Sequence, residues 1–156
     1  METLNNYIAE RIRVDNIRSK PEYKYHPKNK QELEILLNKL IKERGNEGDF
    51  NDIDTSRVSS MDYLFYSHPK FNGHIEYWDV SYVMDMTGMF EDCEYFNCDI
   101  SGWNTKRVEG MSDMFKNAES FTKNISGWDV DNVRISKGMF HNCPIPDVFK
   151  PIMKWK

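Results

Sequence analysis

The chain has 156 residues, of which 29% are charged, 39% hydrophobic and 13% aromatic, and its formal net charge at pH 7 is −4. This length suits one domain with a real core, and no apolar run reaches the ~18 residues of a membrane span. Residues 46–156 carry eleven basic against eighteen acidic side chains, so their surface as a whole repels nucleic-acid phosphates. The start of the chain lacks the apolar segment of a signal peptide, which predicts a cytoplasmic protein without membrane contact.

The first unit, residues 1–26, is predicted to be a helix followed by a linker. Leu4 and Ile8 begin an apolar face that continues at helical spacing over residues 3–18. Two prolines then interrupt the helical pattern. Whether this helix docks on the rest of the protein or projects from it to bind a partner stays open.

Residues 27–49 are predicted to form a capping helix. Asn29 suits the N-cap, Glu32 suits a capping box three residues later, and Gly45 suits the C-terminal end. The apolar face of this helix comprises Leu33, Leu36, Leu37, Leu40 and Ile41. A repeat array exposes the apolar face of its terminal unit unless a cap covers it, so we expect this helix to cover the first repeat.

Residues 50–142 contain an apolar pattern that recurs every 25 residues without an insertion. The columns of this pattern include Val58, Val83, Val108 and Val133; Phe65, Phe90, Phe115 and Phe140; Phe71, Phe96 and Phe121; and Trp78, Trp103 and Trp128. A fixed period of about 20–50 residues indicates a repeat array in which each unit buries its apolar face against its neighbours. The pattern therefore predicts four repeats, of which the first is degenerate.

Each repeat combines two shorter periodicities. Trp78 and Val80 alternate with polar residues, which predicts a short strand. Val83, Met86 and Met89 recur three residues apart, which predicts a helical or 3₁₀ limb.

The segment 75–90 reads Ile-Glu-Tyr-Trp-Asp-Val-Ser-Tyr-Val-Met-Asp-Met-Thr-Gly-Met-Phe. It resembles the 25-residue, PARCEL-like repeat "ISxWDVSxVxxMxxMF" of the BspA-type leucine-rich-repeat family. The resemblance implies an α/β repeat solenoid of leucine-rich-repeat type, with short parallel strands, helical or 3₁₀ convex limbs and N-terminal helices as a cap. It also implies surface adhesion or protein contact, with no shared catalytic apparatus.

Residues 143–156 are predicted to form a C-terminal cap. Pro144, Pro146 and Pro151 rule out another regular repeat. The apolar residues expected to fold over the last repeat are Val148, Phe149, Ile152, Met153 and Trp155.

A polar column follows the tryptophan column and consists of Asp54, Asp79, Asn104 and Asp129. Stacked carboxylates about 5 Å apart would suit acid–base chemistry or Ca²⁺ binding. A short polar side chain at this place also accepts hydrogen bonds from turn N–H groups, and an asparagine interrupts a metal ladder. We therefore interpret the column as a structural bracket and predict no metal site.

The three cysteines are predicted to be reduced. Cys93 and Cys143 share a column two repeats apart, which puts them about 10 Å from each other, too far for a disulfide. Their spacing from Cys98 and His141 does not fit a zinc site. Because phosphate-binding loops and nucleophile motifs are also absent from the sequence, we predict no cofactor and no enzymatic activity.

Exposed positions beside the predicted strands supply the candidate partner-binding site. Tyr77 and Tyr82 are large side chains that the repeat does not require, and tyrosine and arginine commonly anchor interfaces. The predicted site comprises Arg57, Tyr66, His74, Tyr77, Asp79, Tyr82, Asn104, Lys106, Arg107, Asp129 and Asp131.

These features predict a non-catalytic protein-binding module that associates stoichiometrically with a protein carrying a basic surface. A bacterial or phage-borne inhibitor of a nuclease or defence protein fits that description. The resemblance favours instead a cell-surface adhesion or host-contact protein, which requires export. A local patch of Arg57, Lys106, Arg107 and Arg134 around Tyr82 leaves a nucleic-acid-binding accessory protein as a further alternative, and the oligomeric state stays open.

Overall fold

The structure is a computed structural model that describes residues 22–154. The helix predicted over residues 3–18 and Trp155 of the tail lie outside this range. The described residues form one α-helix, α1 (Lys30–Arg44), one 3₁₀ helix (Asp147–Phe149) and isolated parallel bridges, without a β-strand. Neither of these helices is long and apolar enough to cross a membrane.

Helix α1 begins and ends where the sequence predicts. The side chain of Asn29 accepts a hydrogen bond from the Glu32 N–H at 3.0 Å, and the Glu32 carboxylate accepts one from the Lys28 N–H at 2.9 Å. Gly45 has a φ of 80° and donates its N–H to the Ile41 carbonyl at 2.9 Å. These bonds satisfy groups that the two ends of a helix otherwise leave unpaired.

Helix α1 is held to the first repeat by apolar packing and by charge. Its buried side chains are Leu33, Leu37, Leu40 and Ile41, and Leu36 is half-buried against the same core. The Arg44 guanidinium donates to both carboxylate oxygens of Asp52, at 2.7 and 3.0 Å. At the other end of the helix, Lys30 Nζ lies 2.8 Å from Asp62 Oδ2.

The prediction of an α/β repeat solenoid of leucine-rich-repeat type is wrong, because the described repeats contain neither strands nor helical limbs. Each repeat is a succession of tight turns. In the second repeat (residues 75–99), the N–H groups of Trp78, Val83 and Met89 each bond to the carbonyl three residues earlier. Turns this close together leave no extended run long enough for a strand.

The segment predicted as a helical limb instead carries a row of hydrogen bonds between repeats. The N–H groups of Met86, Gly88, Phe90 and Asp92 donate to the carbonyls of Gly110, Ser112, Met114 and Lys116 in the third repeat (residues 100–124), at 2.8–2.9 Å. Equivalent rows join the first repeat (residues 50–74) to the second and the third to the fourth (residues 125–142). We call these bonds the inter-repeat ladder.

A left-handed residue lies within the ladder in every repeat. These residues are Tyr63, Gly88, Asp113 and Gly138, with φ of 52°, 57°, 53° and 72°. A positive φ fits neither a strand nor a right-handed helix, which explains why both predicted elements are absent. A Cβ on Gly88 would clash with the ring of Tyr63, so the close approach of adjacent repeats also favours glycine there.

The predicted phenylalanine columns are confirmed as the core. The rings of Phe65, Phe90, Phe115 and Phe140 stack in sequence with centroids 5.5, 5.5 and 5.8 Å apart. Phe71, Phe96 and Phe121 form a second column with centroid separations of 6.3 and 5.8 Å. Adjacent repeats therefore bury one another's apolar faces, as the 25-residue period predicts.

The tryptophans tie each repeat to the preceding one. Trp78, Trp103 and Trp128 are buried. Their indole N–H groups donate to the carbonyls of Phe50, Ile75 and Ile100 at 3.0, 3.2 and 3.1 Å. Each tryptophan thus fills the core and satisfies its one polar group in the same place.

Within residues 143–154, the tail after the fourth repeat covers less of the core than the sequence predicts. Ile145 is buried, and Phe149 and Met153 are half-buried against the core. Val148 and Ile152, expected to fold over the last repeat, are instead 79% and 83% exposed.

Candidate functional site

The polar column after the tryptophans shapes turns. The side-chain oxygens of Asp54, Asp79, Asn104 and Asp129 each accept a hydrogen bond from the N–H two residues later, at 3.0–3.2 Å. These are Asx-turns, so the interpretation of the column as a structural bracket is confirmed. Within residues 22–154, no group of three or more histidine, cysteine, aspartate or glutamate side chains is arranged to hold a metal ion.

The three cysteines are free thiols. Cys93 is buried and its thiol lies 3.2 Å from the Phe65 carbonyl; burial raises its pKa. Cys98 is half-buried, and burial together with the nearby Glu76 carboxylate raises its pKa to about 11. Such thiols stay protonated at neutral pH, where the thiolate is the reactive form.

A groove of about 970 Å³ lies beside the exposed ring of Tyr77. We call it the Tyr77 groove and define it by Glu47, His74, Glu76, Tyr77, Asp99 and Lys123. Tyr77 shares a column with Gly102 of the third repeat and Gly127 of the fourth. The groove therefore forms where a large aromatic side chain is followed by positions that have no side chain.

The Tyr77 groove is acidic, because three carboxylates line it against one lysine. Burial acts to raise the pKa of Glu76, but hydrogen bonds from the backbone, Asn51 and Cys98, with the charge of His74, lower it overall. Hydrogen bonds from the Ser101 hydroxyl and N–H lower the pKa of Asp99. Both carboxylates are therefore anionic at neutral pH and attract cationic groups.

His74 extends the polar surface of the groove. Its Nδ1 lies 3.5 Å from Glu76 Oε1, a distance that makes an ion pair whenever the imidazole is protonated. His74 forms the parallel bridge with Asp49, and Glu76 lies in the turn that follows this bridge. The structure thus brings two of the predicted partner-binding residues, His74 and Tyr77, into one groove.

Tyr82 and Arg107 form a separate surface pair. The Arg107 guanidinium carbon lies 4.6 Å from the centroid of the Tyr82 ring, a cation–π contact between adjacent repeats. Arg57 shares their column, and Lys106 is exposed next to Arg107. None of these four residues lines the Tyr77 groove, so the structure divides the predicted site in two.

The remaining predicted residues are also exposed but make other contacts. Tyr66 packs edge-on against Tyr63, with ring centroids 6.0 Å apart. Asp131 lies 2.8 Å from Lys154 of the tail. Asp79, Asn104 and Asp129 are the turn-forming residues described above.

Sequence reasoning omitted the charged residues of the groove, namely Glu47, Glu76, Asp99 and Lys123, from the predicted site. Asp99 lies one period after His74 in the same column, so stacking of the repeats predicts that the two are neighbours. Glu47 precedes the first repeat, but Asn72 and Asn97 follow it in the same column and also line the groove, so the 25-residue period could have indicated its position.

Residues 36–155, more than three quarters of the chain, match the family described as "Mycoplasma protein of unknown function, DUF285". That family is associated with BspA-like repeat proteins, which agrees with the resemblance at this coarser level without identifying a specific leucine-rich-repeat class. No curated protein and no solved structure matches the chain.

Proposed function

The chain belongs to this family of unknown function, and we propose that it is a non-catalytic protein-binding module that associates stoichiometrically with a protein carrying a basic surface. The observation that carries the proposal is the Tyr77 groove, where an exposed aromatic ring lies among three carboxylates. Tyrosine supplies a large, rigid contact area at low entropic cost, and it is enriched among the residues that dominate binding energy.

The carboxylates of the groove supply the specificity for a basic partner. Glu47 and Asp99 are exposed, so they act mainly by steering a cationic surface into contact and by disfavouring acidic partners. Glu76 is less exposed and is oriented by Asn51 and Cys98, which keeps its charge directed at the groove. A lysine or arginine that enters the groove therefore meets preorganised acceptors beside an aromatic surface.

A partner covered in this way loses access to its own basic surface. An inhibitor of a nuclease or of a nucleic-acid-binding defence protein would act by such occlusion, because those proteins use basic surfaces to hold phosphates. The BspA-type, PARCEL-like resemblance supports a second use of the same binding mode, adhesion at a cell surface. The two uses differ in location: fractionation should recover an inhibitor in the cytoplasm and an adhesin in the envelope or medium.

The test compares two double variants with matched changes. Glu47→Lys with Tyr77→Ala alters the groove, whereas Glu119→Lys with Tyr66→Ala makes the same two changes at exposed positions that line neither the groove nor the adjoining cavity of Glu47. The partner is captured from extracts of cells that make the protein and is then titrated against purified chains. We expect a stoichiometric, basic partner whose affinity falls about tenfold or more for the groove variant and less than about twofold for the control.

An equal loss of affinity in both double variants would show that the Tyr77 groove is not the binding site. Recovery of no stoichiometric partner, at low and at moderate salt, would contradict binding as the function.

The stacked pair of Tyr82 and Arg107 supports a second candidate, a nucleic-acid-binding accessory role. Arginine and aromatic side chains together suit phosphates and unstacked bases. A gel shift that persists at about 150 mM salt and is lost with Arg107→Ala would favour this role. A gel shift that modest salt abolishes and that shows no sequence preference would indicate non-specific binding and would contradict this role.

A further inference from the structure

Three kinds of contact run between successive repeats and stop at the fourth. The first is the inter-repeat ladder, in which Met111, Asp113, Phe115 and Asn117 donate their N–H groups to the fourth repeat at 2.8–2.9 Å. In the fourth repeat, the corresponding N–H groups belong to Ser136, Gly138, Phe140 and Asn142. These four donate no hydrogen bond to any residue within 22–154. We call the backbone of residues 134–142 the C-terminal edge.

The two other contacts are made by side chains. Phe140 stacks on Phe115 with one face, but its side chain remains half-buried, whereas Phe90 and Phe115 are fully buried. The Asn117 amide donates to Asp92 at 2.7 Å, and the Asn142 amide donates to Asn117 at 2.9 Å. Among the described residues nothing donates to the side-chain oxygen of Asn142. Each series therefore continues to the C-terminal edge, where the next position has no partner among residues 22–154.

The tail covers this edge only in part. Lys150 Nζ lies 5.4 Å from the centroid of the Phe140 ring, and Met153 packs nearby. A groove of about 400 Å³ at this edge is lined by Gly138, Met139, Phe140 and Met153. An apolar groove bordered by a row of N–H donors suits an extended polypeptide that offers carbonyls and an apolar side chain.

We infer that the C-terminal edge is a docking surface for a repeat-type segment of another protein. The three interfaces inside the chain specify what such a segment presents: carbonyls at alternate positions, an aromatic ring over Phe140, and a side-chain donor opposite Asn142. This surface is distinct from the Tyr77 groove, so it extends the proposed function to a second partner contact.

A second copy of this chain fits the edge less well. Its own complementary row consists of the carbonyls of Ser60, Asp62 and Leu64, which accept no hydrogen bond within the described residues. Helix α1 lies at that end, with Lys30 bonded to Asp62 and Leu64 buried. Pairing along the ladder there would bring a second copy against α1, which four buried side chains and the Lys30–Asp62 pair hold in place.

The test extends the full chain beyond Lys156 with a flexible linker and a second copy of residues 106–121, the segment that covers the same edge of the second repeat. A Gly-Ser linker of about 12 residues spans about 19 Å on average and gives an effective concentration near the millimolar range. The readout is amide hydrogen exchange at Gly138 and Phe140. We expect the tethered segment to slow exchange at both amides about tenfold or more, and to leave the exposed amide of Val148 unchanged.

The matched control carries the same linker and a scrambled version of residues 106–121. Equal exchange rates with the matched and scrambled segments would overturn the inference. Sedimentation of the unextended chain completes the test: concentration-dependent association that protects the same amides would assign the edge to a second copy and overturn the assignment to another protein. A chain that stays monomeric at all concentrations supports the assignment of the edge to another protein.

Discussion

The two ends of the repeat array differ in what covers them. At the N-terminal end, the 15 residues of α1 bury four aliphatic side chains and are fastened by the Arg44–Asp52 and Lys30–Asp62 pairs. At the C-terminal end, the tail buries Ile145 and leaves Phe140 half-exposed and the N–H row of the edge unpaired within the described residues.

The difference shows that a cover must do two separate things for a terminal repeat: bury its apolar face and pair its open row of backbone groups. A helix supplies apolar area, because its side chains reach the whole face of the first repeat, but its own backbone bonds are internal and cannot continue the ladder. Within residues 143–154, the tail with its three prolines supplies little apolar area and no acceptor for the C-terminal edge, although its Phe149 carbonyl accepts the Ile125 N–H at 3.0 Å. Only another repeat performs both tasks: under α1 the first repeat keeps Phe65 fully buried, but the carbonyls of Ser60 and Asp62 accept no hydrogen bond within the described residues.

The strongest test of this contrast compares two phenylalanines of one column. Phe115→Ala removes a ring enclosed on both faces and should lower the free energy of unfolding by about 3–5 kcal/mol, through lost burial and a cavity. Phe140→Ala should cost about half as much or less, since only one face of that ring is stacked. Urea denaturation of both variants measures the difference, and equal losses would show that the C-terminal end is as closed as the interior.

The capping role of α1 is tested by Leu37→Ala. Leu37 is 1% exposed, so truncation should lower the free energy of unfolding by about 2–5 kcal/mol. Ile35, on the same helix but 65% exposed, provides the control, and Ile35→Ala should change stability by less than about 0.5 kcal/mol. Unchanged thermal denaturation of the Leu37→Ala variant would show that α1 does not contribute to the core.

The ion pair that fastens α1 should give the cap a pH dependence. The hydrogen bonds from Arg44 hold the pKa of Asp52 below its ordinary value, so the folded state favours the ionised carboxylate. This contribution is complete above the unfolded pKa of about 3.9 and is lost as pH falls through the lower folded pKa.

Asp52→Asn should therefore cost about 1.5–3 kcal/mol at neutral pH, and the difference from the unmodified chain should shrink as pH falls below about 4. Thermal denaturation across this pH range measures it. A difference that stays constant with pH would mean that the charge of Asp52 contributes nothing.

The smallest expected effect concerns the N-cap of α1. Asn29→Ala removes the acceptor for the Glu32 N–H and should lower the free energy of unfolding by about 1 kcal/mol. Asn29→Asp retains an acceptor and should stay close to the unmodified chain. A loss of the same size in both variants would show that Asn29 acts other than by capping.

The sequence predicted the core and the capping helix well, because both follow from spacing alone. The 25-residue period identifies which side chains stack, and Asn29 and Gly45 mark the ends of α1 by local hydrogen bonding. The backbone path between core positions was predicted wrongly. The alternation at Trp78 and Val80 is typical of a strand, but the hydrogen bonds of turns, formed every few residues, prevent the backbone from staying extended. The spacing of apolar side chains also gives no sign of the left-handed backbone at Tyr63 and Asp113.

The candidate site was predicted only in part for a related reason. Exposure of Tyr77 and Tyr82 follows from the repeat, but whether two exposed residues share one surface depends on the direction of each turn. Arg107 stacks on Tyr82 because they share a column, whereas Tyr77 lies on an earlier turn beside Glu47, a residue outside the repeats. The sequence shows which residues share a column, but it does not show the angle between neighbouring turns.

Amide hydrogen exchange of the unmodified chain tests the central claim, that each repeat donates its N–H row to the next and that the last row is open. The amides of Asp113 and Phe115 are bonded to Lys137 and Met139 at 2.9 Å, whereas those of Gly138 and Phe140 have no acceptor among residues 22–154. We predict that the inner pair exchanges about a hundredfold or more slowly than the outer pair. Equal protection of the two pairs, or faster exchange of the inner pair, would contradict the account.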